Sequence, residues 1–314
     1  MKYRILGETG LTVSHLCFGA LTISPLQKNM SIKAGARVIR RALELGVNFI
    51  DTAQLYDAYD YIREALKGWD RPVVICTKSY AYTRELMVEA LEEARQRLQR
   101  DVIDIFMLHE QESIHTIRGH WPALEVLFEA KAKGIVRAVG ISTHCVAAVR
   151  QGAQVPEIEV ISPLINPLGL GIIGGTAADM LDAIEFAHLM GKGVYAMKPL
   201  AGGHLYHDVR ASLEWAFSNP HVHSVAVGMQ SEAEVDANVA ICEGRDSEEL
   251  LAAAAGSLKQ LHIDDWCTAC GTCIQACSSR ALALRDGKLH HDPSRCVLCG
   301  YCAARCPEFA LKVI

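Results

Sequence analysis

The sequence of 314 residues predicts an α/β protein, a (β/α)8 barrel followed by a small C-terminal α+β domain. Through residues 1–245, short apolar runs alternate with segments whose apolar residues recur every three or four positions. Beyond these units, eight of the twelve cysteines fall between Cys267 and Cys306. A composition of 50% apolar and 21% charged residues is typical of a globular chain.

Eight apolar runs, most of them β-branched or aromatic, are too short for helices and suit buried parallel strands. They lie at 15–19, 47–51, 72–77, 104–108, 135–142, 158–162, 193–197 and 223–228. Helical spacing of apolar residues recurs between them, for example at 32–45, 84–98, 121–133, 177–190 and 232–241. This many units favour a barrel. The alternative, a doubly wound open sheet, would normally have fewer units and a Gly-rich first turn, and no GxGxxG follows the first run.

The chain divides into three predicted segments. Residues 1–245 form the barrel, and a hairpin over residues 2–14 closes its bottom. Residues 246–262, rich in Ala, Leu and Glu, form a linker helix. Residues 263–314 form the cysteine-rich domain, because the composition changes abruptly near Leu261.

Charge and hydropathy exclude several functional classes. The net charge of −5 offers no basic field for nucleic acid. No apolar stretch reaches the roughly 18 residues of a membrane helix, and the N-terminus lacks the long apolar run of a secretory signal. We therefore expect a cytoplasmic protein without nucleic-acid or membrane partners.

The cysteines of the C-terminal segment form two runs of CxxCxxCxxxC spacing. This spacing lets three thiolates hold one corner of a cubane while the fourth crosses to a second cluster. The segment resembles a bacterial two-cluster ferredoxin domain, and the resemblance implies two [4Fe-4S] clusters. One would be held by Cys267, Cys270, Cys273 and Cys306, and the other by Cys277, Cys296, Cys299 and Cys302. Two structural zinc sites are the alternative.

The residues at the ends of three consecutive predicted strands carry chemistry. Asp51 ends the second strand, Tyr56 follows it, Lys78 ends the third and His109 ends the fourth. In a (β/α)8 barrel these positions converge on one rim. A carbonyl that accepts hydride needs a proton donor, and Lys78, held by Asp51, would lower the pKa of Tyr56 for that role. His109 would hydrogen-bond the carbonyl of the substrate.

The barrel segment resembles the aldo-keto reductase family over about residues 1–245. The matching motifs occur in order as YRILGETGLTVSHLCFGALT, DTAQLY, CTKS, FMLHE, VRAVGIS and VAVGMQSEAEVDANV. The resemblance implies an NAD(P)H-dependent reductase of a small aldehyde or ketone, with Tyr56 as the acid. It also implies that Ser142 and Thr143 lie near the nicotinamide carboxamide, and that Gly228, Gln230 and Asn238 lie at the adenosine end.

Four positions of the expected cofactor site depart from the family pattern. Ser162 replaces the usual Gln beneath the nicotinamide, and Met197 and Lys198 replace an aromatic and a small hydroxyl residue. Lys198 begins a Gly-rich loop that could bind a phosphate group. That phosphate could belong to a flavin or to a nicotinamide nucleotide. Glu234 stands where NADPH-preferring members carry a basic residue, so the choice between NADPH and NADH stays open.

Nicotinamide transfers two electrons as hydride, whereas each cubane transfers one. Either the clusters are insulated from the barrel chemistry, or a flavin at the strand ends joins them. We expect an external electron donor or acceptor protein for the clusters. Two alternatives to a reductase remain: an electron-transfer protein whose barrel binds a flavin or a partner, and a redox or iron sensor.

Residues outside these sets are expected to be structural. The four cysteines of the barrel suit its core. The remaining histidines without ligand spacing are expected in loops or on the surface: His115, His120, His144, His204 and His207.

Overall fold

Two short strands, β1 (Tyr3–Ile5) and β2 (Thr12–Ser14), form an antiparallel hairpin ahead of a closed barrel of eight parallel strands. The computed structural model describes residues 1–255, 259–296, 298 and 301–314. The barrel strands are β3 (Leu16–Gly19), β4 (Phe49–Asp51), β5 (Val74–Ser79), β6 (Ile103–Leu108), β7 (Val136–Thr143), β8 (Val160–Pro163), β9 (Gly193–Met197) and β10 (Ser224–Gly228). They are paired in chain order, and β10 closes the barrel against β3. The predicted (β/α)8 class is confirmed.

Helices follow every barrel strand and surround the barrel. They are α1 (Ile32–Glu44), α2 (Tyr59–Leu66), α3 (Arg84–Leu98), α4 (Ile114–Gly119), α5 (Trp121–Ala132), α6 (Val146–Ala153), α7 (Ala177–Leu189), α8 (Val209–Phe217), α9 (Glu232–Cys242) and α10 (Glu248–Ala254). Hydroxyl side chains cap several N-termini, among them Ser31 on α1 and Ser231 on α9, because they accept a backbone N–H of the first turn. No helix in the described ranges is long and apolar enough to cross a membrane.

The barrel interior is filled by inward-facing side chains, and the hairpin covers its lower end. Leu6 and Leu11 of the hairpin segment are buried in one cluster with Phe49 and Tyr195 from the strands. A Cβ at Gly7 would overlap the backbone of Gly193, so the hairpin lies directly against the strand bottoms. The cysteines expected in the barrel core are all buried: Cys17, Cys76, Cys145 and Cys242.

The C-terminal segment is a small domain of two antiparallel strand pairs and short helical turns. Strand β11 (Leu261–Ile263) pairs with β14 (Leu311–Val313), and β12 (Leu282–Arg285) pairs with β13 (Lys288–His291). The short helix α11 (Thr272–Gln275) and a 3-10 turn (Ala303–Arg305) carry cysteines of the two runs. A small apolar core of this domain includes Leu261, Leu282, Leu289 and Leu311.

Strand β14 lies against the barrel rim after β9. His204 Nε2 donates to the carbonyl of Leu311 at 2.8 Å. A Cβ at Gly203 would overlap the carbonyl of Val313, so only glycine allows this approach. The C-terminal domain therefore covers part of the rim where the candidate catalytic residues lie.

Candidate active site and cysteine clusters

Asp51 and Lys78 form a buried ion pair at the carboxyl ends of β4 and β5. Lys78 Nζ donates to Asp51 Oδ1 at 2.5 Å and to the carbonyl of Thr52 at 2.8 Å. The side chain of Lys78 is only 1% exposed. Burial alone lowers the pKa of Lys78, but the Asp51 carboxylate outweighs it and raises that pKa above its usual value. The lysine is therefore a fixed ammonium.

Tyr56 and His109 meet beside this pair. Tyr56 ends a 3-10 turn (Gln54–Tyr56) after β4, and His109 follows β6. Tyr56 Oη lies 3.4 Å from His109 Nε2, and the Lys78 Nζ lies 5.6 Å from the centroid of the Tyr56 ring. The structure thus brings the four predicted catalytic side chains, Asp51, Tyr56, Lys78 and His109, into one cluster.

The net lowering of the pKa of Tyr56 that was expected from Lys78 is wrong for the free protein. Burial raises the pKa of Tyr56 well above its usual value, and the carboxylates of Asp51 and Glu110 add to the increase. The Lys78 ammonium favours the phenolate but does not outweigh these effects, because the much closer Asp51 matches most of its charge. The Tyr56 phenol therefore holds its proton firmly in the free protein.

His109 is held as a neutral imidazole. Burial lowers its pKa well below the usual value, and the ammonium groups of Lys78 and Lys198 lower it further. Its ring stacks on that of Tyr80 with centroids 4.4 Å apart. Its Nδ1 is buried and has no hydrogen-bond partner among the described residues. Nε2 is therefore the nitrogen that faces the Tyr56 hydroxyl.

Two tyrosines support the cluster and were not predicted. Tyr195, within β9, donates its hydroxyl to Asp51 Oδ1 at 2.6 Å from inside the barrel. Tyr80 donates to Glu110 Oε2 at 2.9 Å while its ring orients His109. Strand alternation could have placed Tyr195 inside the barrel, but no local signal indicates that its hydroxyl reaches Asp51.

A cavity of about 1010 Å³ opens next to Asp51 and Tyr56. Its wall includes four of the predicted cofactor-binding residues, Lys198, Gly228, Gln230 and Asn238. The backbone at Gln230 precedes the N-terminus of α9, where the helix dipole favours an anion. The volume and this helix end fit a dinucleotide. The hydroxyls of the other three predicted residues do not line the cavity.

Those three residues, Ser142, Thr143 and Ser162, are fully buried. The Ser142 hydroxyl accepts the N–H of Glu110 at 3.0 Å, and the Thr143 hydroxyl accepts that of Cys145 at 2.8 Å. The Ser162 hydroxyl has no partner within the described chain. Ser142 and Thr143 thus hold loops at the ends of β6 and β7.

Glu234, at the end of the cavity near α9, is not a free charge. Its Oε1 is paired with Lys259 Nζ at 2.9 Å, and its Oε2 accepts the N–H of Gln230 at 2.7 Å. Lys259 lies just before β11, so the C-terminal segment supplies a cation that the barrel motif lacks. This pairing weakens the repulsion expected between Glu234 and a 2′-phosphate.

Two of the histidines expected in loops or at the surface lie in loops, but His204 is buried and His144 is half-buried, and the C-terminal segment contacts both. His204 is 8% exposed because β14 covers it. His144 Nε2 lies 2.6 Å from Lys198 Nζ, and the His144 ring contacts Phe309 edge-on, with centroids 6.0 Å apart. Burial next to Lys198 and Lys312 keeps the pKa of His144 well below its usual value.

The cysteines of the C-terminal domain lie around two small cavities. Cys267, Cys270, Cys273 and Cys306 line the first, and Cys277, Cys296 and Cys302 line the second. Cys299, the expected fourth ligand of the second set, lies outside the described residues. The N–H of Ala310 donates to Cys306 Sγ at 3.3 Å, and that of Ala281 donates to Cys277 Sγ at 3.2 Å.

These donor sets fit iron–sulfur clusters. Four described cysteines surround the first cavity and three surround the second. Four thiols spread around a cavity suit a cubane, and N–H donors to sulfur stabilise thiolate charge.

Comparisons with known proteins give the relationships of both parts. The profile of the aldo/keto reductase family matches residues 15–212, and that of the 4Fe-4S dicluster domain matches residues 266–310. The holo form of an aldo-keto reductase from Bacillus halodurans has a TM-score of 0.65 at 22% identity, covering 81% of this chain and 96% of its own. That likeness supports the fold.

Relatives of the chain include enzymes and a channel subunit. L-galactose dehydrogenase of Arabidopsis thaliana is 26% identical over 291 residues, 76% of this chain and 88% of the relative. 6-dehydroglucose reductase of Novosphingobium aromaticivorans is 26% identical, covering 65% and 70%. A probable voltage-gated potassium channel subunit beta of Oryza sativa subsp. japonica is 24% identical, covering 76% and 90%. The chain belongs to the aldo/keto reductase family, with a 4Fe-4S dicluster domain at its C-terminus.

Proposed function

We propose that the protein reduces an aldehyde or ketone with hydride from a nicotinamide nucleotide and a proton from Tyr56. The observation that supports this most is the position of Tyr56, which faces His109 and lines the large cavity beside the Asp51–Lys78 pair. A phenol, an imidazole and an ammonium so placed suit a carbonyl oxygen that gains negative charge.

Each side chain has a distinct task in this proposal. The substrate carbonyl oxygen accepts hydrogen bonds from Tyr56 Oη and, in its N–H form, His109 Nε2. A nicotinamide nucleotide, when bound in the cavity, would supply the hydride for the carbonyl carbon. As the carbon–oxygen π pair moves onto oxygen, Tyr56 gives its proton to that oxygen, and the product is an alcohol. Water then returns a proton to Tyr56.

The Asp51–Lys78 pair acts on the phenolate that is formed. In the resting state burial keeps Tyr56 protonated, so the acid is not lost before reaction. Once the proton leaves, the ammonium of Lys78 is the nearby positive charge that stabilises the phenolate. Tyr195 and the carbonyl of Thr52 hold that pair in place.

The cavity residues beyond Tyr56 would hold the nucleotide. Gly228, Gln230 and Asn238 lie at the end near α9, where the side-chain amides of Gln230 and Asn238 could donate to phosphate or ribose oxygens. The ion pair between Glu234 and Lys259 offers an acceptor for a ribose diol and a cation for a 2′-phosphate. Both NADH and NADPH are therefore proposed cofactors.

We also propose that the C-terminal domain carries two [4Fe-4S] clusters that exchange electrons with an external protein. The two cysteine-lined cavities support this proposal. When bound, such clusters supply one-electron transfer. They also stabilise a domain of about fifty residues, which has too small an apolar core to be stable alone.

Substitution of Tyr56 by phenylalanine tests the catalytic proposal. We expect carbonyl reduction to fall by about 10²- to 10⁴-fold, because that is the usual contribution of a general acid. Stability should change little, since only one 3.4 Å contact of the hydroxyl is lost. Tyr82→Phe is the matched control, because Tyr82 is 58% exposed and outside the cluster. Full activity of the Tyr56→Phe variant would contradict the assignment.

Anaerobic titration with NADH and then NADPH separates the reductase from the electron-transfer alternative. Bleaching of the iron–sulfur absorbance by either nucleotide would show that electrons pass from the barrel to the clusters, and it would indicate a flavin between them. Nucleotide consumption with added carbonyl and no bleaching would indicate a reductase with an insulated iron–sulfur domain. Bleaching without any carbonyl turnover would favour the electron-transfer protein.

A further inference from the structure

Two lysines line the same cavity as Tyr56 and take no part in the proposed proton transfer. Lys198 follows β9, and Lys312 lies in β14 of the iron–sulfur domain. The side chain of Lys198 is 19% exposed and that of Lys312 is 3% exposed. Two lysines from different domains thus line one cavity.

Each lysine has one carboxylate neighbour, and neither carboxylate is in close contact with the ammonium. Lys312 Nζ lies 3.3 Å from Asp264 Oδ2, and its other acceptor is the carbonyl of Phe309. The Lys198 Nζ is 3.9 Å from Glu110 Oε1, beyond hydrogen-bond distance, and its close contact is the neutral His144. The remaining carboxylate that lines the cavity near Tyr56, Asp51, is taken by Lys78 and Tyr195.

The two buried ammonium groups are only partly stabilised by their carboxylates. Burial and the neighbouring ammonium of Lys198 together lower the pKa of Lys312 to about 7, although Asp264 acts in the opposite direction. Burial likewise lowers the pKa of Lys198. An anion in the cavity would offset both effects, because it supplies the opposite charge that a buried ammonium requires.

The arrangement is held by the packing of the two domains. The Lys312 side chain crosses the face of Phe309, with Nζ 3.9 Å from the ring centroid, and passes Gly202 so closely that a Cβ there would lie 2.6 Å from Lys312 Cδ. Lys198 has a left-handed backbone with φ of 61°. Such a conformation is uncommon outside glycine and occurs often at functional sites.

We propose that Lys198 and Lys312 form an anion-binding subsite beside Tyr56, and that the substrate is an aldehyde or ketone carrying a carboxylate. The inference rests on the proposed carbonyl reduction and adds the substrate class. The carboxylate binds the two ammonium groups while the carbonyl oxygen meets Tyr56 and His109. The iron–sulfur domain thereby contributes a substrate-binding side chain to the barrel.

The test compares acidic and neutral aldehydes of matched shape in the full-length protein. The pairs are 4-oxobutanoate with butanal and 4-carboxybenzaldehyde with benzaldehyde. We expect kcat/KM to favour the acid in at least one pair, and Lys312→Met and Lys198→Met each to lower the acid-to-neutral ratio about 10- to 100-fold. Lys131→Met, a 40% exposed lysine outside the cavity, should leave the ratio unchanged.

Further readings separate this subsite from other roles of the lysines. Dissociation constants of NADH and NADPH should change less than about twofold in both variants. Weaker nucleotide binding with an unchanged acid-to-neutral ratio would overturn the subsite and assign the lysines to the cofactor. An equal loss of kcat/KM for the acidic and the neutral aldehyde of a pair would also overturn the subsite. Such a loss would mean that the substitution damages the structure in general and does not affect recognition of the carboxylate.

Failure of carbonyl reduction itself is a distinct result. If none of the four aldehydes turns over, the proposed function is contradicted, and titration with succinate still tests the subsite. Trp266 lies near Lys312, with the ammonium 5.9 Å from its ring centroid, so bound anion should change tryptophan fluorescence. A saturable change that Lys312→Met abolishes supports the subsite, and no change overturns it.

Discussion

Replacement of Asp51 by asparagine tests how strongly the barrel depends on its buried ion pair. The carboxylate accepts from Lys78 and from Tyr195, and among the described residues the other hydrogen-bond acceptor of Lys78 is the carbonyl of Thr52. The variant keeps the size of the side chain and removes its charge. Lys78, with 1% of its side chain exposed, would then hold an unmatched charge.

The expected loss in the free energy of unfolding is about 3–5 kcal/mol at pH 7, the usual result of removing one partner of a buried pair. Lys78→Met should cost a similar amount, because it leaves Asp51 with only the Tyr195 hydroxyl. The double variant leaves no unmatched charge and should cost less than the sum of the single variants, with a coupling of about 2–3 kcal/mol.

The pH dependence has a definite sign. The pKa of Lys78 is raised in the folded protein, so the pair stabilises it at all pH values below the usual lysine pKa. Without Asp51, burial lowers that pKa, and the penalty is greatest at low pH. The difference between wild type and Asp51→Asn should therefore shrink by about 1 kcal/mol or more between pH 7 and pH 9.5.

Anaerobic urea unfolding, followed by far-ultraviolet circular dichroism and tryptophan fluorescence, measures these differences. Asp60→Asn is the control, because Asp60 has 29% of its side chain exposed and pairs with Arg63 and Arg97 near the surface. It should cost less than about 1 kcal/mol. An Asp51→Asn variant as stable as the control, or an additive double variant, would refute the reasoning.

Three further predictions concern other parts of the molecule. The pKa of His109 is lowered in the folded protein, so the wild type loses stability as the pH falls below about 6.5. The His109→Gln variant lacks this titrating group. Between pH 6.5 and pH 5.5 its free energy of unfolding in urea should therefore fall by up to about 1.4 kcal/mol less than that of the wild type. Glu234→Gln frees the ammonium of Lys259 for a 2′-phosphate, so the ratio of NADH to NADPH dissociation constants should rise about tenfold; an unchanged ratio would contradict this. Gly203→Ala places a Cβ on the carbonyl of Val313, so limited proteolysis should release the C-terminal domain faster than in wild type while the barrel stays intact.

The positions of the catalytic candidates could be predicted because barrel topology is regular. A residue at the carboxyl end of any strand faces the same rim, so Asp51, Lys78 and His109 needed only the strand ends to be located. The direction of the pKa shift of Tyr56 could not be predicted in this way. It depends on burial and on the distance to Glu110, which follows from the packing of loops.

The cofactor residues were predicted less completely, for a similar reason. Gly228 and Gln230 line the cavity because Gly228 ends the strand β10 and Gln230 follows it, as their motif indicates. Ser142 and Thr143 have the expected residue types, yet their hydroxyls bind loop backbone. A motif gives the residue and its strand, but the hydrogen-bond partner depends on which loop lies nearest.

The sequence by itself determined the barrel, its strand-end chemistry and the family, because periodicity and motif spacing are local properties of the chain. Only the tertiary structure decided that β14 packs on the barrel rim, that it buries His204, that Phe309 contacts His144, and that Lys312 lines the same cavity as Lys198 and Tyr56. These contacts between the barrel and the C-terminal segment join residues more than a hundred positions apart, and they depend on the shapes of two folded surfaces that no local pattern encodes.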